Sequence, residues 1–224
     1  MAARRGKDQT HELTTVKLLI LGATGGSGQQ LVSQALEGGH DVTAFVRTPE
    51  KISVRHGRLR LITGNVNDGD SALADAVSGQ NAVISALGRG TSFKSDHLIQ
   101  RSTPAIVSAM QRCQVRRFIF ISAIGVGDAS RDAPLFSRIF AHLALKDIYA
   151  DKAIGEEIIS QSDLDWTIVQ PAQLTNGPVT GKYRAGEHLK LRGIPRIARA
   201  DLAHFVLNQL DDTTYVRKIV RLGY

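Results

Sequence analysis

Three glycines set three apart, Gly22, Gly25 and Gly28, stand between an aliphatic run and a helical pattern, with Thr24, Gly26 and Ser27 in the same turn. No side chain intervenes at Gly25 and Gly26, so the backbone there can approach a ligand closely. Gly22 permits a tight exit from a strand, and Gly28 lets the following helix sit close to a sheet. The helix start adds free N–H groups and a partial positive charge, a field that suits a pyrophosphate. Farther on, Arg47 ends the next apolar run, with Lys51 close behind and no Asp or Glu at that strand end. An acidic residue there would bind a ribose 2′-hydroxyl, whereas arginine accommodates a 2′-phosphate, which predicts NADP(H) in preference to NAD(H). Two residues are candidates to act at the reacting end. Ser122 could hydrogen-bond a carboxamide or an acceptor oxygen, and Lys152 could bind a ribose or attract an anionic substrate.

The elements that must hold these residues alternate between strand and helix. Val16–Leu21 is short and aliphatic and reads as a strand buried on both faces. Leu31, Val32, Ala35 and Leu36 recur at helical spacing, and Gly38-Gly39 stops that helix. Asp41–Val46 and Leu59–Ile62 are the next strands. The second of them runs into a turn that places Asn65 and Val66 where a βα loop meets an adenine, although Asn, Gly and Asp also favour turns on their own account. Ser71–Val77 is a short helix and Ala82–Leu87 a strand that ends in Gly88-Arg89-Gly90. Asp96–Gln114 is helical, with Pro104 expected to kink or break it. Phe118–Ile121 is a buried strand with Ser122 at its C-terminal edge, the edge where open α/β sheets bind ligands. Residues 135–160 read as helix in one or two pieces, and Leu164–Val169 as a strand closed by Pro171. From 172 to 197 the helical pattern disappears, which predicts a small substrate cap of loops and strands. Ala200–Leu210 is a last helix, and Val216–Leu222 adds an edge strand. The expected fold is α/β: a Rossmann-like, doubly wound parallel sheet in a single domain at 15–224, preceded by a flexible tail at 1–14.

Composition narrows the function. The 224 residues suffice for one well-buried domain, and the 5% aromatic content leaves a mostly aliphatic core suited to helices on a parallel sheet. The single cysteine, Cys113, excludes an internal disulfide framework and falls in a helical pattern as a small, buried or half-buried residue. The net charge of +7 is scattered in singlets and doublets such as Arg116-Arg117. No basic run interleaves with aromatics, so small anions are the expected ligands rather than nucleic acid. No apolar stretch reaches membrane-spanning length, and residues 1–14 lack the apolar core of a secretory signal. A cytoplasmic home without membrane attachment is expected. His97, His142, His188 and His204 have no metal-ligand spacing, and His204 reads as a structural residue of the last helix.

The segments Gly22–Gly28, Val46-Arg47, Gly64–Asp68, Phe120–Gly125, Asp165–Pro171, Pro178–Tyr183 and Ile197–Phe205 together resemble the atypical short-chain dehydrogenase/reductases. Within these, the chain is most similar to the NAD(P)H-binding group of NmrA-like proteins and biliverdin IXβ and flavin reductases. The resemblance implies that Gly22, Thr24, Gly25, Gly26, Ser27 and Gly28 hold the pyrophosphate and Arg47 the 2′-phosphate. It implies that Asn65 and Val66 flank the adenine and that Leu87, Gly88 and Arg89 follow the second ribose and phosphate. Ser122 would sit near the nicotinamide, with Pro171, Ala172, Gln173 and Leu174 along its ring. Typical members of the wider family place a tyrosine four residues before the lysine, where this chain has Ile148. Tyr149 lies only three before Lys152 and is expected on the helix surface. The biliverdin and flavin reductases lack that tyrosine as well, and carry histidine where Gln173 stands. Gln173 can orient a substrate but is no acid of matched pKa.

Two functions follow as expectations. The first is an NADPH-dependent reductase acting on a flavin, biliverdin-like or quinone-like conjugated acceptor, which needs ring alignment more than side-chain chemistry and can draw its proton from solvent. The alternative is a non-catalytic NADP(H) sensor of NmrA type, the one reading that calls for a protein partner. Epimerase or dehydratase chemistry on a nucleotide sugar is the poorest fit, because it needs the Tyr–Lys pair and a larger C-terminal domain.

Overall fold

The computed structural model describes residues 15–68, 70–88, 95–126, 146–191 and 193–224. The expectations for residues 1–14, for Arg89 and for a helix over 135–145 lie outside the described residues. β1 (Lys17–Leu21) is aliphatic after its first residue, and its two faces feed two different cores. Leu18 and Ile20 pack with α1 (Gly26–Glu37) and with the helix near the C-terminus, while Leu19 and Leu21 pack on the opposite side. A strand that buries alternate residues in both directions has helices on both faces, and this is the doubly wound arrangement.

β2 (Asp41–Val46) and β3 (Leu59–Thr63) extend the sheet on one side of β1. β4 (Ala82–Ser85), β5 (Arg117–Ile121) and β6 (Asp165–Pro171) extend it on the other. α2 (Asp70–Val77), α3 (Leu98–Arg112) and α4 (Lys146–Ser160) cover one face. α1 and α5 (Arg199–Asn208) pair on the other face. With β8 (Arg184–Gly186) and β10 (Lys218–Gly223), the full strand order is β3-β2-β1-β4-β5-β6-β10-β8, so the winding reverses at β1, between β2 and β4. The helix after β1 lies on one face and the helix after β4 on the other, and the carboxyl edge at such a reversal is the crevice where these sheets hold ligands.

Three expectations need correction. The last strand, β10 (Lys218–Gly223), is not at the edge: it pairs parallel with β6 and antiparallel with β8 (Arg184–Gly186), which takes the edge. Three residues of β8 carry no periodicity of their own, so sequence cannot show that they pair. α3 runs unbroken through Pro104. Proline removes one N–H and crowds one carbonyl, but Pro104 stands on the exposed side, where water serves the freed group. Tyr149 is half-buried rather than a surface residue, as the site below explains. The segment expected as a cap holds β7 (Gln173–Thr175), β8 and β9 (Arg196–Ala198), with β7 and β9 forming a small parallel pair of their own. Cys113 is half-buried, as its helical pattern implied. Among the described residues, no helix is long and apolar enough to cross a membrane.

Candidate functional site

The crevice begins at the turn between β1 and α1. Gly22 has φ +77°, and a Cβ added to it would lie 2.5 Å from the Ala86 carbonyl oxygen at the end of β4. Only glycine satisfies both conditions. A Cβ on Gly28 would strike the Gly22 carbonyl, so the first turn of α1 folds directly back onto the strand exit. Gly25 is the N-cap and brings no side chain to satisfy the helix. The helical ladder begins with the Gln29 N–H donating to the Gly25 carbonyl at 2.8 Å, which leaves the N–H groups of Gly26, Ser27 and Gly28 outside it. Gly25 and Gly26 are exposed, and Thr24 and Ser27 half-exposed, around this cradle. Open donors at the positive end of a helix are suited to a phosphate.

A residue that sequence reasoning missed sits over the cradle. The Arg199 side chain packs so closely on Gly26 that a Cβ there would fall 2.9 Å from its Cδ and Nε. Its Nη1 donates to the Asn176 Oδ1 at 2.8 Å, so β9 and β7 lead into two residues that close over the turn. Arg199 lies far from Gly26 in the chain, and only the pairing of α1 with α5 brings them together. That pairing is reinforced by Gln34 Nε2, which donates to the Ala200 carbonyl at 3.0 Å.

At the expected adenosine side, Arg47 follows β2 and is exposed at the carboxyl edge. Gly64 lies under the Phe45 ring, where any Cβ would collide. Asn65 is committed to its own turn: its Nδ2 donates to Asp68 Oδ1 at 2.8 Å and its Oδ1 accepts from the Asn67 N–H at 3.3 Å. Val66 is buried beside it. Leu87 is half-buried and Gly88 exposed beyond β4, with open space around Gly88.

The expected reacting end lies where β5, β6 and α4 meet. Ser122 follows β5 directly, and its N–H donates to the Val169 carbonyl at 2.8 Å, which pins it to β6. Its Oγ is buried and has no partner at hydrogen-bond geometry among the described residues, yet it stands near enough to Glu156 to favour the charged carboxylate. Lys152 is half-buried and turns inward: its Nζ donates to the Ile121 carbonyl at 3.1 Å and lies 5.5 Å from the Phe120 ring centroid. Burial pulls the ammonium down to about 8, against the opposing pull of Glu156 and Asp151. Tyr149 packs its ring against Gly125, 3.6 Å from a Cβ built there, and burial raises its phenol. A residue three before Lys152 faces the loop after Ser122 because that loop turns back over α4. The Ile124 N–H, bonded to the Pro171 carbonyl at 3.0 Å, holds it there.

Glu156 is the second residue missed. It lies one turn after Lys152, 7% exposed, and accepts from Gln170 Nε2 at 3.1 and 3.2 Å. Burial raises its carboxyl, while Ser122, Gln170 and Lys152 act to lower it. The spacing of Lys152 and Glu156 was visible, but a Lys–Glu pair one helical turn apart usually marks an exposed face. Pro171 and Ala172 are buried at the end of β6, Leu174 is half-buried against Ile197, and Gln173 is exposed at the rim. The structure thus brings Ser122, Lys152 and Pro171 together and leaves Gln173 outside the buried cluster. His204 is structural, its Nδ1 2.8 Å from the Tyr183 hydroxyl.

The sequence profile of a family described as NAD(P)H-binding matches residues 22–213. An uncharacterized sugar epimerase, YhfK of Bacillus subtilis, is 30% identical over 202 residues, covering 88% of this chain and 89% of that protein. A short-chain dehydrogenase/reductase from Veillonella parvula, solved in complex with NADP, superposes with a TM-score of 0.77 at 22% identity, covering 93% of this chain and 94% of the other. ChuY of Escherichia coli O157:H7, described as an anaerobillin reductase, superposes with a TM-score of 0.75 at 22% identity, covering 92% and 96%.

Proposed function

Because the chain belongs to the NAD(P)H-binding family of atypical short-chain dehydrogenase/reductases, a family of NAD(P)-dependent oxidoreductases, we propose that it is an NADPH-dependent reductase of a conjugated acceptor such as a flavin, a biliverdin-like molecule or a quinone. The observation that carries this reading is the makeup of the reacting end: a buried serine and a half-buried, inward-turned lysine, with isoleucine at the place of the family's tyrosine. Without that tyrosine, an acceptor whose reduction depends on alignment is favoured over an isolated carbonyl. The described neighbour ChuY is named for a reductase activity, which agrees with the class.

Gly22, Thr24, Gly25, Gly26, Ser27 and Gly28 would hold the pyrophosphate, with Arg199 closing over it. Arg47 would hold the 2′-phosphate and so select NADP(H). Val66, Leu87 and Gly88 would line the adenosine and ribose side, while Pro171, Ala172 and Leu174 would line the ring. The bound nicotinamide supplies the hydride. Ser122 hydrogen-bonds the carboxamide or the acceptor, Lys152 adds positive charge for an anionic acceptor, and Gln173 orients the acceptor at the rim.

Steady-state oxidation of NADPH with flavin, biliverdin and quinone in turn tests the reading. Turnover with one of them is expected, and no turnover with any of them would reject it. The sensor reading is favoured by the same Ile148, and tight NADPH binding without turnover, with a partner that co-purifies according to redox state, would establish it instead.

A further inference from the structure

Four groups converge beneath the reacting end: Ser122, Lys152, Glu156 and Gln170. The proposed function uses only two of them. Glu156 is nearly enclosed, so a carboxylate there is costly unless it is fully compensated. Compensation is partial. Gln170 donates one Nε2 to both carboxylate oxygens, and the same nitrogen lies 3.5 Å from the Val126 carbonyl. The Lys152 ammonium, the nearest opposite charge, donates to the Ile121 carbonyl rather than to Glu156. The neighbouring Asp151 is committed elsewhere, accepting from the N–H groups of Ile99 and Gln100 at 3.0 and 2.8 Å, where it caps α3. Ser122 Oγ stands near enough to Glu156 to favour the charged carboxylate, yet is buried and without a partner at hydrogen-bond geometry among the described residues. A hydroxyl next to a carboxyl, with its own donor and acceptor capacity open, is a path for a proton.

We infer that Glu156 is the proton store of the reacting end and passes its proton to the reduced acceptor through the Ser122 hydroxyl. The inference rests on the proposed reductase activity. Reduction of the acceptor adds one hydride and one proton. The hydride arrives with the reduced nicotinamide, which is oxidised in the step. The Ser122 O–H gives its proton to an acceptor heteroatom and takes one from the Glu156 carboxyl, which is left as carboxylate and regains a proton from solvent between turnovers. Lys152 keeps that carboxylate from being prohibitive. Among the described residues, the charged group facing Glu156 is Lys152 on α4, with Ser122 after β5 and Gln170 from β6 as its polar neighbours; Asp151 acts on Lys152. Glu156 touches neither cofactor nor acceptor, so it acts by charging Ser122. A proton drawn from within also refines the expectation that solvent supplies it directly, because Ser122 is only 5% exposed.

Burial raises the Glu156 carboxyl, so its protonated form persists to higher pH than that of an ordinary glutamate. The sign is then set: the rate falls as pH rises through the Glu156 midpoint, because the acid form is consumed. Two measurements test the inference. In the protein without cofactor, carbon-13 resonances of labelled glutamate carboxyls should include one that titrates above the others. Glu156→Gln should remove that resonance, and Lys152→Met should move it higher still. In turnover, Glu156→Gln should lower kcat by about a hundredfold, the usual scale of general-acid assistance, and remove the limb. Glu156→Asp should restore part of both, while KM for NADPH stays the same. A Glu156 resonance titrating with the other glutamates, or an unchanged pH profile in Glu156→Gln, would overturn the inference alone. A wild-type protein that turns over no acceptor overturns the proposed function and, with it, the delivery step.

Discussion

Around Gly22 the crevice is made of backbone, whereas around Ser122 it is made of enclosed side chains. The glycine turn works by what it lacks. A Cβ at Gly22 or Gly28 would collide with main-chain atoms, and the open N–H groups of the first turn need no side chain to aim them. The reacting end works by crowding polar groups into a largely enclosed place, where Lys152 is pulled down to about 8 and Glu156 is pushed up. The first region would serve any dinucleotide, because it offers mainly backbone. The second is tuned, and its chemistry depends on which protons its residues hold. Binding is written into the backbone and reaction into the buried charges, so substitutions in the two halves should fail in different ways.

The largest effect is expected at the turn. Gly28→Val drives a branched side chain into the Gly22 carbonyl, and NADPH affinity should fall by at least about a hundredfold in a fluorescence titration, nearly 3 kcal/mol. Unchanged affinity would mean that the turn is not the cradle. Arg47→Glu should divide the cofactors, weakening NADPH by about a hundredfold while NADH changes by less than about threefold, on the scale of a lost charge-assisted phosphate contact. Equal losses would remove the 2′-phosphate from Arg47. Lys152 should report through pH. Its ammonium is charged below about 8 and neutral above it, so KM for an anionic acceptor should rise by about tenfold as pH passes through that value. Lys152→Met should give the high KM at every pH. The smallest effect belongs to Gln173, exposed at the rim, where Gln173→Ala should change the acceptor KM by about threefold and leave cofactor affinity alone, a difference of under 1 kcal/mol.

The same contrast explains what was legible in the sequence. Gly22, Gly25 and Gly28 could be read because strand, turn and helix follow one another without interruption, and Arg47 because it ends the next strand. Ser122 and Pro171 could be placed by counting strands, since the carboxyl ends of parallel strands share one edge. Glu156 could not, because its burial depends on how α4 docks on β5 and β6, and a lysine and glutamate one turn apart look the same on a wet face. Arg199 was hidden by distance along the chain, since only the packing of α5 against α1 sets it on Gly26. Tyr149 was misplaced for a related reason. Helical spacing gives its bearing around α4, but not the loop after Ser122 that folds over it. The edge strand was assigned to the wrong segment because Arg184–Gly186 carries too few residues to announce itself.

The proposed activity is transfer of hydride from NADP(H), held in this crevice, to a conjugated acceptor. Its most direct test is a single anaerobic turnover with NADPH deuterated at the transferring position, mixed with the protein and excess flavin or biliverdin. Oxidation of the nicotinamide in step with reduction of the acceptor is expected, slowed by the label and sensitive to Ser122→Ala. Bound NADPH that stays reduced in the presence of flavin, biliverdin and quinone alike would contradict it.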